Sequence, residues 1–413
     1  MPLDARRPGA RPDPSAGRFD AARPFGVYVH FPFCGVHCPY CDFAVDARAS
    51  IPHDVYADAV VREMEARESW FRDGGTRPAW RSIYFGGGTP GLWRPDALGR
   101  VVAAAARLFD VGRGEPREVT VEVNPGEVDE AGLAALRAVG VNRLSIGAQS
   151  FHDHELRRLG RNHDAASIPR AVTAARSAGF DNLSLDLMFG VPEQTMETWQ
   201  RSVDALIALE PAHVSAYSLT VEKGTRFFND DRAGRLPRPD DDAAAAMFEW
   251  GRARLAEVGY AQYEVSSYAR AGKRAVHNQL YWTQASYLGV GASAASFRPL
   301  VGGDGWRFSN PRATDTYLRA AESPGGPAPA KVEHRAAADL ENEALWLALR
   351  TADGVDRVAH AARFGADPLA AKARAEAAEQ CVCAGWLSVD AHAIRLTAEG
   401  FLFADEVASR LWS

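Results

Sequence analysis

Cysteine is scarce in this sequence, 5 residues among 413, and the odd count excludes a disulfide framework as the basis of the fold. Long apolar runs are missing as well: no stretch approaches the roughly 20 residues that cross a bilayer as a helix. Charge of one sign is not concentrated. The 47 Lys and Arg are interspersed with 53 Asp and Glu, for a formal net charge of -6, so no basic face is offered to nucleic acid. The opening "MPLDARRPGARPDPSAGRFDAARPF" has charge, proline and glycine but none of the apolar core that a secretory signal requires. These absences predict a cytoplasmic protein in reducing surroundings, with residues 1–24 as a disordered extension.

What is present is the composition of a globular enzyme or binding protein, 46% hydrophobic and 24% charged, in a chain long enough for one large domain and a smaller one. From Phe25 onward, short β-branched or aromatic runs ("FGVYVHF", "RSIYF", "EVTVEV", "RLSIGAQS", "NLSLDLMF", "HVSAYSLT") alternate with stretches whose apolar residues recur every three or four positions. Six βα units in succession predict a parallel sheet, with the chemistry at the carboxyl ends of its strands. Those ends are distinctive. The first runs into the cysteines, the second into "GGGTP", the third into Glu122 and Asn124, the fourth into Gln149 and the fifth into Asp186.

The Pro/Gly/Ala-rich stretch 321–331 reads as a linker that closes the large domain, 25–320. Residues 332–413 read as three helices, a hairpin at "GWLSVDAHAIRLT" and a last helix, a small winged-helix-like α+β domain. Between "AAAAMFEWGRARLAEVGY" and the linker, "YLGVGASAASF" reads as a small-residue turn.

Cys34, Cys38 and Cys41 have the spacing C-x3-C-x2-C. Three thiolates in one loop can ligate three irons of a [4Fe–4S] cluster and leave the fourth iron open. A zinc site would need a fourth ligand, for which His30 and His37 are near in sequence, and zinc spacings usually come as two separated pairs. Three packed free thiols are a third reading, disfavoured by the irregular loop that Gly35, His37 and Pro39 imply.

The triplet after a first strand, with Tyr40 before its last cysteine, resembles the signature of the radical S-adenosylmethionine (SAM) superfamily. The resemblance implies a partial (β/α)6 barrel, a [4Fe–4S] cluster on Cys34, Cys38 and Cys41, and SAM chelating the open iron, where an electron cleaves the sulfonium to methionine and a 5'-deoxyadenosyl radical. "YVHFPFC", "FGGGTP", "EVNPG", "RLSIGAQSF", "LDLMFGVP" and "GWLSVD...IRLTAEG" further resemble the oxygen-independent coproporphyrinogen III oxidase family, over nearly the whole chain from Phe25. That family's SAM contacts fall on Tyr28, Tyr40, Gly86, Gly88, Thr89, Glu122, Gln149, Arg161 and Asp186, with weaker matches at Thr220 and Ala295. One departure is Gly91, where Ser or Thr is usual.

Two features separate the chain from the oxidase. The oxidase carries a further cysteine two residues after the third ligand, and here Phe43 stands there. "HNQLYW", His277 to Trp282, matches the HNxxYW motif of the sister group, the HemW-type haem chaperones. That resemblance implies haem, with His277 as a candidate axial ligand beside two flat aromatic faces. It implies as partners the acceptor haemoproteins and an electron donor such as a flavodoxin or ferredoxin; a homodimer and a peripheral encounter with the membrane during haem delivery are compatible with it. Two alternatives stay open: the oxidase reaction, decarboxylating two propionates, and another radical SAM reaction on a tetrapyrrole. Cys381 and Cys383 read as small hydrophobes, not ligands.

Overall fold

A computed structural model of the protein describes residues 13–110 and 117–412. The first half alternates strand and helix: β1 (Phe25–Phe31), α1 (His53–Arg67), β2 (Trp80–Gly87), α2 (Pro95–Leu108), β3 (Glu118–Val123), α3 (Glu130–Ala138), β4 (Arg143–Gln149), α4 (Asp153–Arg158), α5 (Ser167–Ser177), β5 (Leu183–Phe189), α6 (Met196–Ala208) and β6 (His213–Ser218). β1 to β6 lie side by side in chain order and all parallel. Parallel pairing requires a crossover between strands, and the helices supply it.

Alternation along each strand gives the sheet two different faces. Val27, Val29, Ile83, Phe85, Val121, Ile146 and Leu185 turn outward under the helices and are buried. The intervening positions are polar. Tyr28 pairs in register with Tyr84, Tyr84 with Thr120, Glu122 with Ser145, and Asp186 with Ser215. The sheet therefore curves around a lumen lined by hydroxyls, carboxylates and imidazoles.

After β6 come α7 (Arg226–Arg232), α8 (Asp241–Glu257) and the hairpin β7 (Ala261–Glu264) and β8 (Ser267–Ala269), which adds to the β6 edge antiparallel. α9 (Val276–Trp282) follows. The chain then returns to the opposite edge. β9 (Ser286–Val290) pairs parallel with β1, and β10 (Ala295–Pro299), β11 (Gly305–Ser309) and, after α10 (Thr314–Ala321), β12 (Lys331–Arg335) extend the sheet antiparallel to 12 strands. The smaller domain holds α11 (Ala337–Leu349), β13 (Val355–Asp356), α12 (Arg357–Phe364), α13 (Lys372–Cys383), the hairpin β14 (Leu387–Val389) and β15 (Ala393–Leu396), and α14 (Ala404–Arg410). Its core is separate, built on Leu345, Leu349, Cys381, Ile394 and Val407.

Three expectations are corrected. Residues 13–24 are not a disordered tail: Phe19 is fully buried, and the Arg298 guanidinium donates to the carbonyls of Ala16 and Gly17 at 2.9 and 2.7 Å. Residues 1–12 of that extension lie outside the described residues. The 321–331 stretch is bounded inside the large sheet, because Ala321 ends α10 and Lys331 begins β12. The "small-residue turn" holds only for residues 291–294 and is flanked by β9 and the start of β10; Gly289 and Ala295 are small because the strands close in, leaving 2.0 Å between a Cβ at Gly289 and the Ala295 carbonyl. Among the described residues, no helix is long and apolar enough to cross a membrane.

Candidate cofactor site

Both ends of the lumen are polar, but they are built differently. At the amino ends of the strands α9 forms a floor. Glu118 accepts from the backbone N–H groups of Val276 and His277, each at 3.1 Å, and so caps the start of α9. Arg143 lies 3.8 Å from the Glu118 carboxylate, with both side chains buried. His213 is bonded through one ring nitrogen to Ser184 Oγ and through the other to Tyr263, each at 2.8 Å.

At the carboxyl ends the loop after β1 carries the three cysteines around a cavity of about 330 Å3. Its walls bring together Cys34, Cys38, Cys41, Tyr40, Gly88, Thr89, Glu122, Gln149, Arg161 and Asp186, ten of the fifteen site residues singled out from sequence. The "GGGTP" turn docks onto the cysteine loop. Gly88 and Thr89 donate backbone N–H groups to the carbonyls of Phe31 and Phe33, each at 2.8 Å, and a Cβ on Gly88 would lie 2.5 Å from the Phe33 oxygen. Only glycine allows that approach. Thr89 Oγ1 sits 3.2 Å from Cys34 Sγ and accepts from Asn124 Nδ2 at 3.2 Å.

Burial sets the electrostatics. It pushes the Cys38 thiol up and the Cys41 thiol up to about 11, so these groups become thiolates when a metal centre supplies positive charge. Burial also pushes Glu122 up to about 7, against the Tyr84 hydroxyl that donates to it at 2.7 Å and the Gly87 N–H at 3.1 Å. Asp186 is likewise raised by burial, and accepts from Ser145 and Ser184. The Arg161 guanidinium bonds Asn124 and the Gly147 carbonyl and lies 4.0 Å from Cys38 Sγ, while its buried Nε has no partner. Gln149 ends β4 with φ 64, a left-handed backbone that costs a non-glycine residue strain and turns the chain at the rim.

Three thiols around one cavity, an orphaned guanidinium nitrogen and glycines with no room for a Cβ fit an iron–sulfur cluster with a small charged ligand beside it. Among the described residues, no three His, Cys, Asp or Glu side chains converge closely enough to hold a single metal ion, so the zinc alternative lacks its donor set.

The remaining site residues lie elsewhere. Tyr28 and Ala295 line a neighbouring cavity of about 430 Å3, with Tyr281, Tyr287, Arg312 and, shared with the first cavity, Phe43, Gly87 and Glu122. Gly86 packs between Tyr84, Glu122 and Tyr28. Thr220 lines neither cavity. His277, expected as an axial ligand, belongs to the floor: it is 1% exposed, with Nδ1 bonded to Ser82 Oγ at 2.8 Å and Nε2 to the Tyr281 hydroxyl at 2.9 Å. Burial, with Arg143 nearby, lowers it to about 3, so the ring is neutral. No ring nitrogen is left free for iron. Within the motif it is Tyr281 that faces a cavity.

Sequence reasoning missed Tyr84, Ser145, Gly147, Met188 and Tyr217 in the cavity wall. For all but Tyr217 the available signal was their alternate placement on the lumen face of strands whose other members, Gly86, Gln149 and Asp186, were already named.

The model of the Radical SAM superfamily matches residues 28–206, and that of the HemN C-terminal domain matches residues 336–403. A radical SAM domain implies SAM and a [4Fe–4S] cluster as cofactors. The chain is 38% identical over 298 residues to the heme chaperone HemW of Haemophilus influenzae, covering 72% of this chain and 76% of that one. It is 34% identical over 383 residues to the heme chaperone HemW of Bacillus subtilis, covering 92% and 97%. Among solved structures, coproporphyrinogen III oxidase (HemN) of Escherichia coli superposes with a TM-score of 0.79 at 23% identity, covering 95% of this chain and 90% of that one, a likeness of fold.

Proposed function

The chain belongs to the HemW family within the radical SAM superfamily, and from that premise we propose that it is a haem chaperone, which binds haem and passes it to acceptor haemoproteins. Cys34, Cys38 and Cys41 would hold the cluster, and the cavity lined by Glu122, Gln149, Arg161 and Asp186 would take SAM. Bound there, the cluster and SAM supply one-electron chemistry at the sulfonium. The chain's own groups bind and orient: Glu122 accepts from ligand hydroxyl or ammonium groups, and Asn124 holds Arg161 over Cys38.

The observation that carries the haem reading is the adjoining cavity. It presents the rings of Tyr28, Tyr281 and Tyr287 beside the SAM cavity and shares Phe43, Gly87 and Glu122 with it, so a flat apolar ligand would lie next to SAM. His277 supports Tyr281 from below, and direct coordination of iron by its Nε2 requires the 2.9 Å bond to Tyr281 to open. Phe43, 61% exposed at the position of the oxidase's extra cysteine, supplies apolar surface in place of a thiol.

The test is anaerobic reconstitution followed by two assays on one preparation: haem uptake by absorption spectroscopy and turnover of coproporphyrinogen III. Haem uptake without turnover is the expected result. Conversion to protoporphyrinogen without haem uptake contradicts the proposal. Haem binding by His277→Ala that equals the wild type's excludes His277 as a ligand and leaves the chaperone role standing.

A further inference from the structure

Several polar groups of the adjoining cavity of about 430 Å3 are already engaged. His30 shares one ring nitrogen with the Tyr28 hydroxyl at 3.0 Å and the other with the Ala44 carbonyl at 2.9 Å, Tyr281 is held by His277, and Glu122 accepts from Tyr84 and Gly87. Much of what a ligand would meet there is ring surface, from Tyr28, Tyr281, Tyr287 and Phe43. Two lining residues differ in kind, Arg312 and Ser293.

Arg312 is exposed and donates to the backbone carbonyl of Asp42, not to its carboxylate. Among the described residues no carboxylate pairs with its guanidinium. Asp315, the next acidic residue along the chain, is taken by Arg48 at 3.1 Å. Burial lowers the His30 imidazole and the Arg312 charge acts in the same direction, so the field of the guanidinium reaches into the cavity. Ser293 donates its backbone N–H to the Pro311 carbonyl at 2.9 Å, which ties it beside Arg312, and holds φ 63, a left-handed backbone that strains a serine. Its hydroxyl has no hydrogen-bond partner among the described residues. Strain of this kind persists where the surroundings over-determine it, and ligand clamps are such places.

We infer that Arg312, with the Ser293 hydroxyl beside it, anchors a carboxylate of the tetrapyrrole, so that the ring lies on the tyrosines and its propionate edge meets the guanidinium. The inference rests on the haem reading of this cavity and deepens it. A guanidinium matches a carboxylate with two parallel N–H donors. A cation free of carboxylates beside aromatic walls therefore selects a planar, apolar ligand that is acidic at one edge over one that is neutral throughout. Haem has that form, because its two propionates lie on one edge of the ring. Arg312 thus determines both the choice of porphyrin and its orientation, with no covalent step.

The probes are haem and haem dimethyl ester, which share ring and iron but differ in that the ester's propionates carry no charge. Each is titrated by absorption into anaerobically reconstituted full-length protein. The wild type should bind haem about tenfold more tightly than the diester, the contribution of one charge-assisted pair. Arg312→Gln should erase that preference, weakening haem about tenfold and leaving the diester unchanged, and Arg312→Lys should keep part of it. Cluster absorbance and melting temperature should match the wild type. Equal affinity of the wild type for haem and the diester overturns the inference, whatever the variants do. So does an Arg312→Gln protein that loses both porphyrins alike, which is a structural effect. A variant that loses SAM in calorimetric titration while keeping haem also overturns it, and assigns the guanidinium to the methionine carboxylate. A wild type that takes up neither porphyrin overturns the haem reading on which the inference rests.

Discussion

The rim and the floor of the lumen are both lined by polar side chains buried on the same strands, yet they are opposite kinds of structure. On the floor most polar groups answer one another: His277 bridges Ser82 and Tyr281, His213 bridges Ser184 and Tyr263, and Glu118 caps α9 and forms an ion pair with Arg143, whose Nε makes no hydrogen bond. At the rim they are left with capacity to spare, in raised thiols, a Glu122 near neutrality, an unpartnered Arg161 Nε and a strained Gln149. Polar burial alone therefore does not mark a site. Several spare groups gathered around one cavity do, because a network paired on most of its members stabilises one arrangement, whereas clustered unmet valences are where a ligand gains affinity.

The largest effect should come from breaking the floor. Glu118→Ala leaves Arg143 buried without its carboxylate and the start of α9 uncapped, and should cost about 3–5 kcal/mol in chemical denaturation. A loss below about 1 kcal/mol would mean that the floor is not held by this pair.

Acid should attack the floor through His277. Its folded value of about 3 lies below the ordinary 6.5, so the neutral ring's contribution is fully present above pH 6.5 and is lost as pH falls towards about 3, at up to about 1.4 kcal/mol per unit. His277→Gln should therefore be destabilised at neutral pH, and the gap to the wild type should narrow on acidification. A constant gap across that range would contradict the buried neutral ring.

At the rim, pH should alter binding. Glu122 ionises near 7, so a cationic ligand should bind about tenfold more tightly one unit above that point than one unit below it, and Glu122→Gln should flatten the dependence. Isothermal titration with SAM reads this directly. The smallest effect has the opposite sign: Gln149→Gly relieves the left-handed backbone and should stabilise the metal-free protein by up to about 1 kcal/mol while weakening SAM.

The six βα units, the cysteine loop and most of the rim were legible because period-two alternation and short motifs are local properties. The floor was not. His277 and Ser82 are 195 residues apart, so a histidine that reads as an exposed ligand in "HNQLYW" is enclosed by strands the motif does not mention. β9 and β10 hid behind glycine and alanine for a similar reason: those residues are small because the backbones close in at Gly289, which only the assembled sheet reveals. The six-residue α4 was too short to show a helical period, although Arg157 and Arg158 on it line a cavity together with Cys38 and Cys41.

The separation of rim from floor is tested most directly by one crossed measurement: the visible spectrum after anaerobic reconstitution and the melting temperature of the metal-free protein, for Cys38→Ala and His277→Ala side by side. Cys38→Ala should lose the broad cluster absorbance and melt with the wild type; His277→Ala should keep that absorbance and melt lower. A Cys38→Ala protein that retains its cluster, or a His277→Ala protein that loses the cluster with its melting unchanged, would contradict the account.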